Sequence, residues 1–232
     1  MPAAPWLMTQ TWHDLLFAHW PVEPRALARL IPAGFCIDTF DGRAWVGIVP
    51  FRMSNVAPRG VPPIPGLSAF PELNVRTYVR VGDKPGVFFF SLDASSPLAV
   101  AAASLGLKLP YYTARMSVER DGDRIHYSSR RLSSRTPAEL QARYSPVGEP
   151  FVSAPDSLER FLTERYCLYA RFHAGRPYRL QIHHPPWPLQ RGTAVFSRNT
   201  MAEAAGIRLP AVEPVLHFAR RQDMVAWGPE FL

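Results

Sequence analysis

One short stretch concentrates residues able to do chemistry: Glu72-Leu73-Asn74-Val75-Arg76-Thr77-Tyr78-Val79-Arg80-Val81. Polar and apolar residues alternate, the signature of a strand with two unlike faces. Asn74, Arg76 and Tyr78 share one face; Leu73, Val75, Thr77, Val79 and Val81 share the other. In a small barrel one face of each strand looks inward. The alternation alone allows either face to be the inner one. With the polar face inside, Arg76 is a fixed cation able to hold a carboxylate or carbonyl oxygen through two hydrogen bonds. The alternative is an arginine braced against Glu72 or Asp93. Glu72 precedes the strand, where its carboxyl would serve as acid, as base or as a partner of Arg76.

A second group surrounds Pro110. Tyr111 and Tyr112 follow it, and Arg115 is a candidate second cation. A tyrosine offers an apolar wall with a hydroxyl at its tip, so both suit a ligand cavity and both suit a packed core. Lys84 and Lys108 are the only lysines. Lys84 falls in a turn signal, and Lys108 at the end of a helical stretch, where a cation favours the helix dipole. His183 and His184 are adjacent, so on a strand they point to opposite faces and cannot readily share a metal. A histidine hydrogen-bonded in the core beside Trp187 is the expectation, and His19-Trp20 reads the same way. No HExxH, Gly-x-Ser-x-Gly or glycine-rich phosphate loop is present, so no metal and no cofactor is expected. Asp93 ends an apolar run and is expected to cap the helix that follows.

The positioning elements have to be strands. The segments 35–40 and 44–50 flank the turn signal Asp41-Gly42; 73–81 and 87–92 flank Gly82 to Gly86; 112–119 and 124–131 flank Asp121-Gly122. Two further strands are expected at 179–184 and 215–219. Helices are expected at 22–30, 97–105 (alanine-rich and buried), 157–167 (capped by Asp156) and 199–205. Residues 58–71 hold five prolines and two glycines, a loop whose length points to a functional role. Strands joined mostly by hairpins predict an α+β domain, a closed antiparallel β-barrel with a few peripheral helices, rather than βαβ units. The length of 232 residues fits one domain, 1–232, with a core large enough to need no staples.

The net charge of +7 and the pI near 9.8 raise the question of nucleic acid. The basic residues form no run beyond pairs such as Arg130-Arg131 and Arg220-Arg221, whereas tracking phosphates needs a dense stripe. No nucleic-acid partner is expected. Cys36 and Cys167 lie far apart without metal spacing and read as small buried hydrophobes of a reducing compartment. The first residues carry no basic region followed by an apolar one, and no apolar run is long enough to span a bilayer. A cytoplasmic protein without a membrane partner is the expectation.

Several segments carry a family resemblance. They are residues 15–22 (LLFAHWPV), 40–47 (FDGRAWVG), 49–53 (VPFRM), 72–79 (ELNVRTYV), 89–94 (FFSLDA), 158–166 (LERFLTERY) and 183–189 (HHPPWPL). In this order they resemble the YqjF-like family, the bacterial domain of unknown function 2071. That family is similar in fold to acetoacetate decarboxylase, which implies an antiparallel barrel with an interior cavity but no particular reaction. Acetoacetate decarboxylase forms a Schiff base through a lysine activated by a second lysine, after a proline. Set against that motif, the segment Leu109-Pro110-Tyr111-Tyr112 places Tyr111 at the Schiff-base position and Tyr112 at the activating one. Lys108 lies before the proline and is a weak substitute. In the resembling enzyme an acidic residue also enters the cavity from the region of Glu72.

Three functions follow as expectations. The first is a protein that binds a small carbonyl or carboxylate compound, with Arg76, Asn74, Tyr78, Tyr112 and Arg115 as ligand contacts. The second is an enzyme acting on a small oxo-acid without a Schiff base, lyase-like, with Glu72, Tyr111 and Lys108 as catalytic candidates. The third is a structural or partner-binding protein with a packed barrel. Fold relatives often assemble, so a homo-oligomer is possible.

Overall fold

The computed structural model describes residues 2–134, 136–171 and 175–232. Its order is β1 (Met8–Val22), α1 (Pro24–Leu27), β2 (Cys36–Ile37), β3 (Ala44–Pro58), β4 (Phe70–Val81), β5 (Lys84–Ala94), α2 (Pro97–Leu107), β6 (Tyr111–Asp121), β7 (Arg124–Arg131), β8 (Glu139–Phe151), α3 (Leu158–Thr163), β9 (Cys167–Arg171), β10 (Pro177–His183), β11 (Leu189–Asn199), α4 (Met201–Ala204) and β12 (Val215–Phe231). The strands form one sheet in the order β10-β9-β5-β6-β7-β8-β11-β12-β1-β3-β4-β2. Two further pairings, β4 with β5 and β10 with β12, join strands that stand apart in that order. The fold is mostly sheet, with few and short helices.

Antiparallel pairing is not universal. β5 pairs in parallel with β6 (Leu92↔Tyr111) and with β9 (Val87↔Leu168). The β5–β6 contact requires a crossover, and α2 supplies it. The segment around Cys36 does not form a hairpin with β3; Cys36 and Ile37 pair with Arg80 and Val79 of β4. The Asp41-Gly42 turn survives as a single bridge between Phe40 and Arg43. Cys36 is exposed, against expectation, whereas Cys167 is buried.

Strands β1, β8, β9 and β11 were not expected, although β8 alternates over Glu139 to Tyr144, with Leu140, Ala142 and Tyr144 buried. In β1 the pattern is broken by buried Asp14, which adopts φ 53° where the register with β3 slips between His13 and Ala18. Arg52 and Arg220 neutralise its carboxylate at 2.9 and 2.8 Å.

Helix α2 is not buried: Leu98 and Leu105 are exposed. Its cap is Ser96, whose Oγ accepts from the Ala99 amide at 3.3 Å, and Lys108 closes it at φ 52°. Asp93 is therefore not a cap. It is fully buried and takes two 2.7 Å bonds from Arg131. Helix α3 is capped by Ser157 rather than Asp156, and it ends at Thr163. The expected helix at 22–30 shrinks to one turn, α1.

Strands β1, β3 and β4 are buried on both faces. One face joins Leu16, Val46, Ile48, Leu73 and Val75 to Ile125, Tyr127 and Leu140 of β7 and β8. The other joins Leu15, Phe17, Val49 and Phe51 to Phe70, Trp187 and Leu189. This second face is not filled by side chains.

Candidate functional site

A cavity of about 360 Å3 opens on the second face of β1, β3 and β4. Phe70, Glu72, Asn74 and Arg76 line it from β4, every second residue, while Leu73 and Val75 pack into the opposite core. The polar face of the strand is thus the one toward the cavity, and the β-branched face is the core. β1 contributes Gln10, Trp12, Leu15 and Phe17; β5 contributes Val87, Phe89 and Leu92; α2 contributes Ala99, Ala103 and Leu107. Thr163 enters at the end of α3 and Arg165 just beyond it, and His184 and Trp187 follow β10.

At one end Glu72 is almost wholly buried and accepts a 2.8 Å bond from the Tyr111 hydroxyl. Burial raises the Glu72 carboxyl from 4.5 to about 8; the Tyr111 bond opposes this, and the nearby Asp93 charge adds to it. Glu72 is therefore mostly neutral at pH 7. The Tyr111 hydroxyl is pushed well above its usual range by burial first and by Glu72 second.

Further along the wall, Asn74 Oδ1 is buried without a partner among the described residues, and so is Arg76 Nε. Arg76 Nη2 donates to the Leu162 carbonyl at 3.3 Å, and its guanidinium lies 5.3 Å from the Phe17 ring. It makes no ion pair with a described residue: Glu72 is held by Tyr111, and Asp93 by Arg131. The expected brace is absent. Arg165 is the second cation at this end. Its Nη1 donates to Asp38 at 2.7 Å, and its guanidinium lies over Phe161 at 4.2 Å. Burial lowers its pKa, and the Asp38 bond opposes that shift.

Tyr78 shares the face of Arg76 but does not line the cavity. It is fully buried under α3, donates to the Leu162 carbonyl at 2.6 Å, and lies 2.6 Å from His19 Nε2. Because its proton goes to Leu162, its oxygen accepts from His19 Nε2–H. Burial holds the His19 pKa well below its usual value. Gly47 makes this approach possible, since a Cβ there would lie 2.8 Å from His19 Nε2.

Two more expected ligand contacts, besides Tyr78, fall elsewhere. Tyr112 does not line the cavity; its ring takes the Arg131 guanidinium at 3.9 Å. Neighbours on a strand alternate faces, so Tyr111 and Tyr112 cannot both point inward. Arg115 is exposed, opposite Arg130 on β7. Lys108 caps α2 and is not a lining residue, and Lys84 is bonded to Gln181 at 2.5 Å rather than left to solvent. His184 faces the cavity with its ring 5.0 Å from Trp187, whereas His183 is exposed. Burial lowers the His184 pKa, so the ring is neutral near pH 7. Among the described residues no cluster of three or more His, Cys, Asp or Glu side chains is arranged to hold a metal. No helix there is long and apolar enough to cross a membrane.

Arg165, Trp12, Thr163 and Gln10 were missed in the sequence. Arg165 lies in the Thr-Glu-Arg-Tyr end of the segment 158–166, but only the α3 to β9 turn aims it inward. Trp12 lies in β1, which the sequence did not reveal as a strand.

The fold matches solved structures at low sequence identity. One is the enduracididine biosynthesis enzyme MppR complexed with pyruvate, at TM-score 0.65 and 12% identity, covering 100% of this chain and 91% of that one. Another is acetoacetate decarboxylase from Legionella pneumophila, at TM-score 0.65 and 15% identity, covering 100% and 92%. A third is an acetoacetate decarboxylase-like enzyme from Sphingomonas wittichii RW1, at TM-score 0.64 and 11% identity, covering 99% and 94%. In sequence, the uncharacterized protein YqjF of Bacillus subtilis (strain 168) is 46% identical over 227 residues, covering 98% of this chain and 93% of its own length. Residues 9–223 match the family model DUF2071, described as an uncharacterized conserved protein. The chain thus belongs to the DUF2071 family, on a fold like that of acetoacetate decarboxylase.

Proposed function

We propose that this protein binds a carbonyl or carboxylate compound inside the cavity, in a sheet that closes as a barrel through the β4–β5 and β10–β12 pairings. The observation that carries the reading is the pairing of opposite chemistries in one apolar cavity. A neutral, buried Glu72–Tyr111 pair lines it, and so does Arg76, which has an unpartnered Nε. A buried donor without a partner costs about 1–3 kcal/mol, which a ligand oxygen would recover. Neither Lys84 nor Lys108 lines the cavity, which supports binding without a Schiff base. A cavity of this volume favours the two ligand readings over the third, a structural or partner-binding protein with a packed barrel.

The raised Glu72 pKa favours a second reading. A carboxylic acid kept neutral near pH 7 is poised to exchange a proton with a ligand carbon or oxygen. Tyr111 holds Oε2, which leaves Oε1 to carry the acid proton. An enzyme of this kind would take a proton from the carbon next to a carbonyl with the minor ionised form of Glu72 and return it from the acid so formed, with Arg76 stabilising the enolate oxygen.

Titration with oxo-acids, monocarboxylates and ketones, read by the fluorescence of Trp12 and Trp187 in the cavity wall, tests the binding reading. Saturable quenching is expected, and Ala103→Trp should abolish it by filling the space from α2. If no compound binds, or if Ala103→Trp binds as before, the cavity is not the site. Exchange of ligand α-protons for deuterium, present in the wild type and lost in Glu72→Gln, would select the enzyme reading; its absence with a bound oxo-acid would reject it.

A further inference from the structure

The MppR structure holds pyruvate, and acetoacetate decarboxylase is named for a four-carbon acid. The cavity described above has different proportions. An apolar cavity of about 150 Å3 accommodates benzene, so one of about 360 Å3 takes in proportion about 14 non-hydrogen atoms. A C3 or C4 oxo-acid has about half that number and would leave the rest of an apolar space to be filled by water. The space is also long. Phe70 to Arg76 spans six residue steps of one strand, about 20 Å at 3.4 Å per residue.

The wall between the polar groups is made of Phe17, Val49, Phe51, Phe89 and Leu92, none of which offers water a hydrogen bond. Polar contacts are confined to a few points, and their charges nearly cancel. Glu72 is neutral near pH 7. Arg165 is matched by Asp38 at 2.7 Å. Arg76 remains as a cation lining the cavity without an ion-pair partner among the described residues. The cavity therefore carries about one uncompensated positive charge in an apolar enclosure. Such a site favours one negative charge and penalises two. The outer side of α2, whose Ala99, Ala103 and Leu107 line the cavity, is apolar as well, with Leu98 64% and Leu105 71% exposed.

We infer that the ligand is a monoanionic, predominantly apolar acid of medium size, an alkanoate or aryl-alkanoate of about ten to fourteen non-hydrogen atoms, and not a short polar oxo-acid. Its carboxylate sits on Arg76, and its body runs along the Phe-lined wall toward Glu72. This inference rests on the binding reading above and specifies the ligand of that same cavity.

Calorimetric titration at pH 7 with butanoate, hexanoate, octanoate, decanoate, pyruvate and acetoacetate tests it, with octan-1-ol as the uncharged analogue. Kd is expected to fall about fourfold per added methylene until the chain fills the cavity. Octanoate should bind at least tenfold tighter than pyruvate and than octan-1-ol. Arg76→Gln should remove the preference of octanoate over octanol while leaving octanol binding as it was, which also shows that the variant is folded. Pyruvate or acetoacetate binding as tightly as octanoate overturns the size inference and leaves the binding reading standing. Octanol binding as tightly as octanoate overturns the charge inference. If none of these compounds binds, the binding reading itself fails.

Discussion

Glu72→Gln isolates the energetic consequence of burying one carboxyl. Glutamine keeps the shape and still accepts the Tyr111 hydrogen bond, but it cannot ionise. In the wild type the carboxyl titrates at about 8 in the folded protein and near 4.5 when unfolded. Between these values the folded state holds the extra proton, so stability is fully present below about pH 4.5 and falls as pH rises toward 8. Each pH unit is worth about 1.4 kcal/mol, so the whole span amounts to about 5 kcal/mol, and the interval from pH 5 to pH 8 to roughly 3–4 kcal/mol. That is a large part of the 5–15 kcal/mol typical of a folded domain. Buried histidines act in the opposite sense. Burial lowers the pKa of His19, His184 and His217, and each loses stability as pH falls below about 6.5. The informative quantity is therefore the difference between variant and wild type, measured by urea denaturation at pH 5, 6, 7 and 8. The variant should gain on the wild type steadily across that range, by roughly 3–4 kcal/mol in all. Parallel curves would show that Glu72 ionises in the ordinary carboxylate range and would remove the basis for a neutral acid in the cavity.

Three further outcomes follow from other contacts. Gly47→Ala places a Cβ 2.8 Å from His19 Nε2 and 3.3 Å from Arg76 Cγ, so it should cost about 1–3 kcal/mol; chemical denaturation within 0.5 kcal/mol of the wild type would contradict the close approach. Arg131→Met leaves Asp93 buried without its two-bond partner and should cost about 3–5 kcal/mol in the same assay, whereas a neutral result would mean that Asp93 is not charged in the fold. Lys108→Gly relieves a left-handed residue at the end of α2 and should raise thermal stability by about 0.5–1 kcal/mol without changing ligand affinity or borohydride trapping with ketones; loss of a trapped adduct would return Lys108 to the site.

The strand carrying Glu72, Asn74 and Arg76 was legible because alternation survives in it. Its inward face was not. β4 is buried on both sides, so Leu73 and Val75 have a core to enter and Arg76 has a cavity, and a period of two does not rank those two surroundings. The tyrosine pair after Pro110 was legible as a candidate. That only Tyr111 enters the cavity was decided by the register of β6 beside β5. Arg165 illustrates the limit most plainly: 89 residues of chain separate it from Arg76, and the turn after α3 brings both to one cavity.

By itself the sequence determined the family, the prevalence of strands and the polar row on β4, because local alternation, turn residues and ordered segments are written in the chain. Tertiary structure alone decided which face of that row meets the empty space. It also decided that Asp93 belongs to Arg131, and that Glu72 loses enough water to stay protonated near pH 7. Those outcomes depend on desolvation and on charges brought together from distant strands, and neither quantity is a property of a residue and its sequence neighbours.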